Sequence, residues 1–207
     1  LLHQYDSFDL PFAGGCNLGT RTVDPHLVGL APFGMTVEAL SDSYKVKNKK
    51  QTVEKAILLT ERGETVSENV IMAAALYPGK TTIRNISFNY MVQDVCFFLQ
   101  KLGVKMTGIG TTTLTIEGLE KIDKNIEFYP SEDPIEAMSF IAAAIVTKSE
   151  IAIKRAPIEF LEIELAILEN MGLKYKLSEE YKALNGHTRL VDIYLKRSSL
   201  NAPQDKL

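Results

Sequence analysis

The sequence predicts an α/β protein built from repeats of one β-α-β-α-β-β unit, with buried helices inside and sheets outside. Two observations carry that expectation. Leu30, Leu99 and Leu168 recur at one constant interval, and Gly34, Gly103 and Gly172 share it. The alanine run 73–75 returns at 142–144, displaced by the same interval. Solenoid repeats run about 20 to 50 residues. The unit here is longer, which fits a small module better.

The elements follow in chain order. The stretch 11-PFAGGCNLGTRTVDPH-26 is a glycine-rich polar loop. The run 44-YKVK-47 is strand-like and follows Gly34. The apolar run 70-VIMAAAL-76 predicts a buried helix, and 81-TTIRNI-86 a short strand. Next, 91-MVQDVCFFLQKL-102 is amphipathic with helical spacing and ends at Gly103, which can take the left-handed cap. The runs 104-VKMTGI-109 and 112-TTLTIEG-118 predict a hairpin. Pro130 and Pro134 then break the pattern, so a boundary between parts is expected there: 1–130 and 131–207. A second pass repeats the order with helix 140-FIAAAIV-146, strand 150-EIAIK-154, helix 159-EFLEIELAILENM-171 and the strand-like 182-KALN-185. Ahead of these, the first unit supplies only its second half.

Composition narrows the function classes. The chain has 207 residues, 45% hydrophobic and 24% charged, which is ordinary for a globular protein. A net charge of -3 gives no broad basic face for nucleic acid. A phosphate-bearing small molecule could still be held by a few arginines and backbone amides. Two cysteines, Cys16 and Cys96, are too few for a disulfide framework and fit a reducing compartment. No apolar run approaches the roughly 20 residues of a membrane span. His3, His26 and His187 are scattered without metal-ligand spacing. The chain begins at Leu1 and ends at 203-PQDKL-207, which suggests a piece of a longer polypeptide.

Four stretches resemble the enolpyruvyl transferases, and most closely the branch acting on UDP-N-acetylglucosamine. The segment 13-AGGCNLGTRTVDPHLVGL-30 is similar to that family's PGGC-x-IG-x-RPVDLH-x-x-GL. The segments 67-SENVIMAAAL-76 and 94-DVCFFLQKLGVKMTGIGTTTLTIEG-118 resemble its alanine helix and its IEG-terminated segment. The final 203-PQDKL-207 resembles its PTD segment. The resemblance implies an inside-out α/β barrel of two lobes. Here 1–130 would be part of the lobe bearing the loop, and 131–207 the first part of the other.

It also implies a reaction, in the cytoplasm, opening peptidoglycan precursor synthesis. The enolpyruvyl group of phosphoenolpyruvate passes to the 3-hydroxyl of UDP-N-acetylglucosamine, and phosphate leaves. No cofactor is implied, and the partners are these two small molecules and the rest of a two-lobed chain. Cys16 matches the loop cysteine that protonates phosphoenolpyruvate, can form an adduct with it, and is alkylated by the epoxide fosfomycin. An unperturbed thiol still carries its proton at neutral pH. A buried structural cysteine is the other reading for Cys16, and Cys96, inside an apolar helix, reads as core.

Arg21 matches the arginine on the phosphate of phosphoenolpyruvate, whose planar fork suits that ligand. A solvated surface arginine is the alternative. Thr22, Val23, Asp24 and Pro25 match the segment cradling uracil and ribose, with His26 beside them. Alternatively, Asp24 caps a helix whose first residue is Pro25. Asp205 matches the proposed base for the sugar hydroxyl, or is a surface aspartate. The diphosphate loop corresponds to 61-ERGETV-66, which places Arg62 and Gly63 there.

Four places depart from the family pattern, two of them the loop proline separated from the glycines in 11-PFAGG-15 and Pro134 standing after Asp133 where an arginine is usual. Where SVGATEN is usual, this chain reads 63-GETVSEN-69, and Glu64 has the wrong sign for a diphosphate unless Arg62 offsets it. Where two glutamates are usual, it reads 88-FNYM-91. A catalytically inactive paralogue or fragment that binds a UDP-sugar is the alternative to an active transferase.

Overall fold

The computed structural model describes residues 2–12, 23–49, 51 and 53–202. They fall into two compact units, Leu1–Glu127 and Phe128–Leu207.

In the first unit, β1 (Ser7–Pro11), β2 (Met35–Ala39) and β3 (Ser43–Asn48) form an antiparallel sheet ordered β1-β3-β2. Strand β1 was not foreseen, because 7-SFDLP-11 shows little apolar alternation. It forms on the edge that β3 offers, with Ser7 opposite Lys47 and Pro11 opposite Ser43. A second sheet, ordered β4-β5-β7-β6, contains β4 (Ile57–Leu58), β5 (Gly79–Arg84), β6 (Lys105–Thr107) and β7 (Thr113–Gly118). Helices α1 (Asp24–Leu30), α2 (Glu64–Ala75) and α3 (Tyr90–Leu102) complete the unit. The run β4-α2-β5-α3-β6-β7 is one whole predicted repeat. Among the described residues, neither sheet closes on itself.

Helix α2 is the centre of this unit. Val66, Val70, Ile71 and Ala73–Ala75 are all buried, and the helix packs against both α1 and α3. Three alanines in a row let neighbours come close. Strand β7 ends against the last turn of α2, and Leu119 N–H donates to the Ala75 carbonyl at 2.9 Å. Gly118 makes that approach possible. A Cβ there would lie 2.0 Å from the Tyr77 oxygen and 2.3 Å from the Ala74 oxygen. Helix α3 buries Val92, Cys96 and Leu99 at helical spacing and stops at Gly103, whose φ of 109° is left-handed.

The second unit runs α4 (Pro134–Thr147), β8 (Ala152–Pro157), α5 (Glu162–Asn170), β9 (Lys174–Leu177), β10 (Tyr181–Lys182) and β11 (Arg189–Lys196). Strand β11 pairs antiparallel with β8, β9 and β10. Three expectations change here. The leading strand of the repeat does not form, since described residues 119–133 are irregular. Pro134 starts a helix instead of breaking one: Asp133 is the N-cap and accepts from Ile135 N–H at 2.7 Å. Finally, 182-KALN-185 is mostly turn. Lys105 pairs with Glu117, whereas its counterpart in the next repeat, Lys174, pairs with Lys196, so the second hairpin is the longer one. The extra length carries the strand past 182–185 to β11.

Helix α4 repeats α2 in sequence but not in burial. Only Pro134, Ala137, Ile141 and Ala144 are buried, while Ile135, Phe140 and Val146 are 63%, 53% and 82% exposed. The cause is packing. Helix α2 has a helix on either side, and α4 packs against β8. The 140–146 run is therefore a half-buried helix, not a fully buried one.

Replacing Gly118 with alanine should cost about 1–3 kcal/mol by overpacking against backbone oxygens that cannot move aside. Urea unfolding of Gly118→Ala measures this as a lowered midpoint.

Candidate active site

Cys16, Arg21, Thr22 and Asp205 lie outside the described residues. Val23, Asp24, Pro25, His26, Arg62 and Gly63 lie within them, all in the first unit.

The first group opens α1. Val23, not Asp24, is the N-cap: its carbonyl accepts from His26 N–H at 3.0 Å and Leu27 N–H at 3.2 Å. Asp24 therefore sits inside the first turn, and no side chain caps the helix. Pro25 follows within that turn, where a missing N–H costs nothing. His26 faces α2, with its Nδ1 2.9 Å from the amide nitrogen of Asn69. An amide nitrogen can only donate, so Nδ1 accepts and the proton of a neutral ring rests on Nε2. Asn69 lies within 67-SENVIMAAAL-76, and its contact with His26 is not legible from that stretch alone.

The second group opens α2. Gly63 is the N-cap, in extended conformation, with no side chain to cap the helix. The amides of the first turn are thus left for an outside acceptor, and an α-helix start favours anions. Ser67 anchors this end: its hydroxyl donates to Gly63 O at 2.7 Å and accepts from Ser87 N–H at 2.9 Å. Gly63 and Asn69 belong to one helix, about 9 Å apart along its axis at about 1.5 Å per residue. One rigid element therefore positions both groups.

The charges of 61-ERGE-64 are separated. Arg62 donates from Nε at 3.1 Å and Nη2 at 2.9 Å to the Asn85 side-chain oxygen, and lies 5.9 Å from the centroid of the Phe88 ring. Glu64 instead accepts from the Asn89 amide at 3.2 Å. No Arg62–Glu64 ion pair is present among the described residues. The offset considered from sequence is thus not a direct pair. The two departures from the family pattern, 61–66 and 88–91, lie against one another. Asn85 carried no signal in the sequence, and 88-FNYM-91 stood out there only as a departure, because contacts between positions so distant along the chain leave no local pattern.

Residues 1–202 match the family of EPSP synthase (3-phosphoshikimate 1-carboxyvinyltransferase). This chain belongs to that family. A UDP-N-acetylglucosamine 1-carboxyvinyltransferase 1 of Clostridium acetobutylicum is 31% identical over 196 residues, 95% of this chain and 46% of that protein. The UDP-N-acetylglucosamine 1-carboxyvinyltransferase of Shewanella frigidimarina is 35% identical over 185 residues, 89% of this chain and 44% of that protein. The chain spans under half the length of these relatives. Among solved structures, the enolpyruvyl transferase NikO from Streptomyces tendae superposes with a TM-score of 0.73 at 16% identity, covering 95% of this chain and 45% of that one. An EPSP synthase from Acinetobacter baumannii gives 0.69 at 18%, covering 95% and 44%. These two likenesses establish the fold: the enolpyruvyl transferase fold, here a mixed α/β arrangement of separate sheets.

Among the described residues of the first unit, two titratable groups are displaced from their ordinary values. Burial raises the Glu68 carboxyl on α2, and Glu64 one turn earlier raises it further. Burial alone pushes the Cys96 thiol up to about 12, as expected for a core residue 2% exposed.

The Glu68 shift has a definite sign. The folded state holds this proton more tightly than the unfolded chain, so stability falls as pH rises from the usual 4.5 through the raised value. Glu68→Gln should therefore raise the urea midpoint at neutral pH. Both the burial of the charge and its repulsion from Glu64 are relieved, and with solvent screening the gain should be about 0.3 kcal/mol, shrinking at acid pH. Cys96 should resist thiol reagents in the native protein and react only on unfolding, which mass spectrometry of the labelled chain reads directly.

Proposed function

We propose that this chain is part of an enolpyruvyl transferase that moves the enolpyruvyl group of phosphoenolpyruvate to the 3-hydroxyl of UDP-N-acetylglucosamine, releasing phosphate. The observation that supports this choice of substrate most is the pairing of a 31–36% identity to enzymes named for that reaction with the 13-AGGCNLGTRTVDPH-26 loop. Such a reaction belongs to cytoplasmic peptidoglycan precursor synthesis.

In this reading Cys16 donates a proton to the methylene carbon of phosphoenolpyruvate while the sugar hydroxyl attacks the adjacent carbon. Asp205 takes the hydroxyl proton. Elimination of phosphate then restores the double bond and returns the proton. Arg21 offsets charge on the phosphate of phosphoenolpyruvate. Thr22, Val23, Asp24 and Pro25 hold uracil and ribose. His26, with its Nε2–H directed by Asn69, donates to the same nucleotide. Gly63 and the first amides of α2 meet the diphosphate, with Arg62 adding the positive charge.

A complete site needs more chain than this. Residues 1–130 serve as part of one lobe and 131–207 as the beginning of the other. The exposed apolar residues Ile135, Phe140 and Val146 support a continuation, because helix α2, at the same place in the preceding repeat, is covered on that scale by two helices. The remainder of a second lobe would cover it. The alternative, a paralogue that binds a UDP-sugar without turnover, draws on Glu64 beside the diphosphate loop and on 88-FNYM-91.

The full-length protein should release phosphate from phosphoenolpyruvate only when UDP-N-acetylglucosamine is present. Cys16→Ala should lose that release by at least about a hundredfold, in line with removal of a positioned general acid. Fosfomycin should add once, at Cys16, and not at Cys96. Sugar-nucleotide binding without release in the wild-type protein would favour the inactive paralogue, and equal modification of both cysteines would undo the role given to Cys16.

A further inference from the structure

Two side-chain clasps occupy corresponding places in the two units. In the first, Arg62 ahead of α2 is held by Asn85, which follows β5. In the second, Glu132 ahead of α4 is held by Arg155 within β8. Each pair spans 23 residues. A shift of 70 residues (132 − 62, 155 − 85) carries one clasp onto the other, one more than the interval between the repeated glycines but the same shift that carries the helix cap Gly63 to Asp133. The receiving residue is left-handed in both, with φ of 61° at Asn85 and 60° at Arg155. Left-handed backbone disfavours most side chains, so its recurrence marks a shared device: a turned residue reaching back to the lead-in of a helix.

The charge differs between the two. Arg155 meets a carboxylate, and the clasp is neutral. Arg62 meets a carbonyl-type amide oxygen, and no ion pair among the described residues includes it. Its positive charge is therefore fixed in direction but not offset. Asn85 is itself held, donating its amide to the Leu59 carbonyl at 2.9 Å. Nε and Nη2 point at Asn85, which leaves the Nη1 side of the planar fork for a further acceptor. Phe88 lies beside the same guanidinium.

We propose that Asn85 is a positioning residue that aims Arg62 at an oxygen of the sugar-bearing phosphate of the nucleotide sugar, the phosphate that UDP has and UMP lacks. This rests on the diphosphate reading given above. Asn85 does not touch the ligand. It removes the rotational freedom of a long side chain beforehand, and its neutrality keeps the full charge of Arg62 for the anion.

The test uses the full-length protein and calorimetric affinities for UDP and UMP, which differ by one phosphate. Arg62→Ala and Asn85→Gly should each weaken UDP about tenfold, the scale of one charge-assisted hydrogen bond, with UMP little changed. Glycine keeps the left-handed backbone. The double variant should be no weaker than Arg62→Ala alone. Asn85→Asp, which keeps the acceptor but neutralises the arginine, should also lose UDP preferentially. Failure of Arg62→Ala to affect UDP would remove Arg62 from the diphosphate site itself. If Arg62→Ala acts but Asn85→Gly leaves UDP unchanged, weakens UMP equally, or multiplies the arginine effect in the double variant, Asn85 is not positioning Arg62. Wild-type UDP affinity in Asn85→Asp would overturn the charge argument.

Discussion

The first unit depends on how closely strand β7 can approach helix α2. Alanines at 73–75 and glycine at 118 bring backbone against backbone, and Leu119 hydrogen-bonds directly to Ala75. Larger residues would push the strand outward and unpack Val70 and Ile71 from the core they share with Ile83, Leu114 and Ile116. The opposite end of α2 then stands at a fixed place. That end carries Gly63 and, within two turns, Ser67 and Asn69, which secure the next strand's exit and the His26 ring. A tight contact at one end of a helix thus supports the geometry of polar groups at the other, because the helix between them is rigid and its interior face is fully packed.

The same sequence device gives a different outcome in the second unit. Helix α4 repeats the alanines but leaves Ile135, Phe140 and Val146 exposed. Burial is not a property of the segment; it follows from what packs on it. The sequence period reports which residues are apolar and where, and it can do no more than that. This is why the repeat located the long helices of both units while overstating the burial of 140–146.

Other features were legible for clear physical reasons. Gly34, Gly103 and Gly172 all adopt left-handed φ, as their place after apolar helical runs implied. Cys96 is core because it falls on the buried stripe of α3. What escaped the sequence was of two kinds. Strand β1 is made by its partner's edge, and the added length before β11 shifts a strand without changing the flanking pattern. The polar clasps were also hidden. Arg62 and Asn85 are 23 residues apart, and Glu64 and Asn89 are 25 apart. Only the fold brings the unusual 61–66 and 88–91 segments together. Side by side, Asn89 holds the Glu64 carboxylate while Asn85, just before the second segment, holds the Arg62 guanidinium.

The central claim is that the start of α2, and not the equivalent start of α4, is built to meet the diphosphate of a sugar nucleotide. Amide hydrogen exchange on the full-length protein, with and without UDP-N-acetylglucosamine, tests it directly. The account predicts slower exchange at residues 63–66 on binding, with residues 133–136 unchanged. Protection absent at 63–66, or equal at both helix starts, would contradict it.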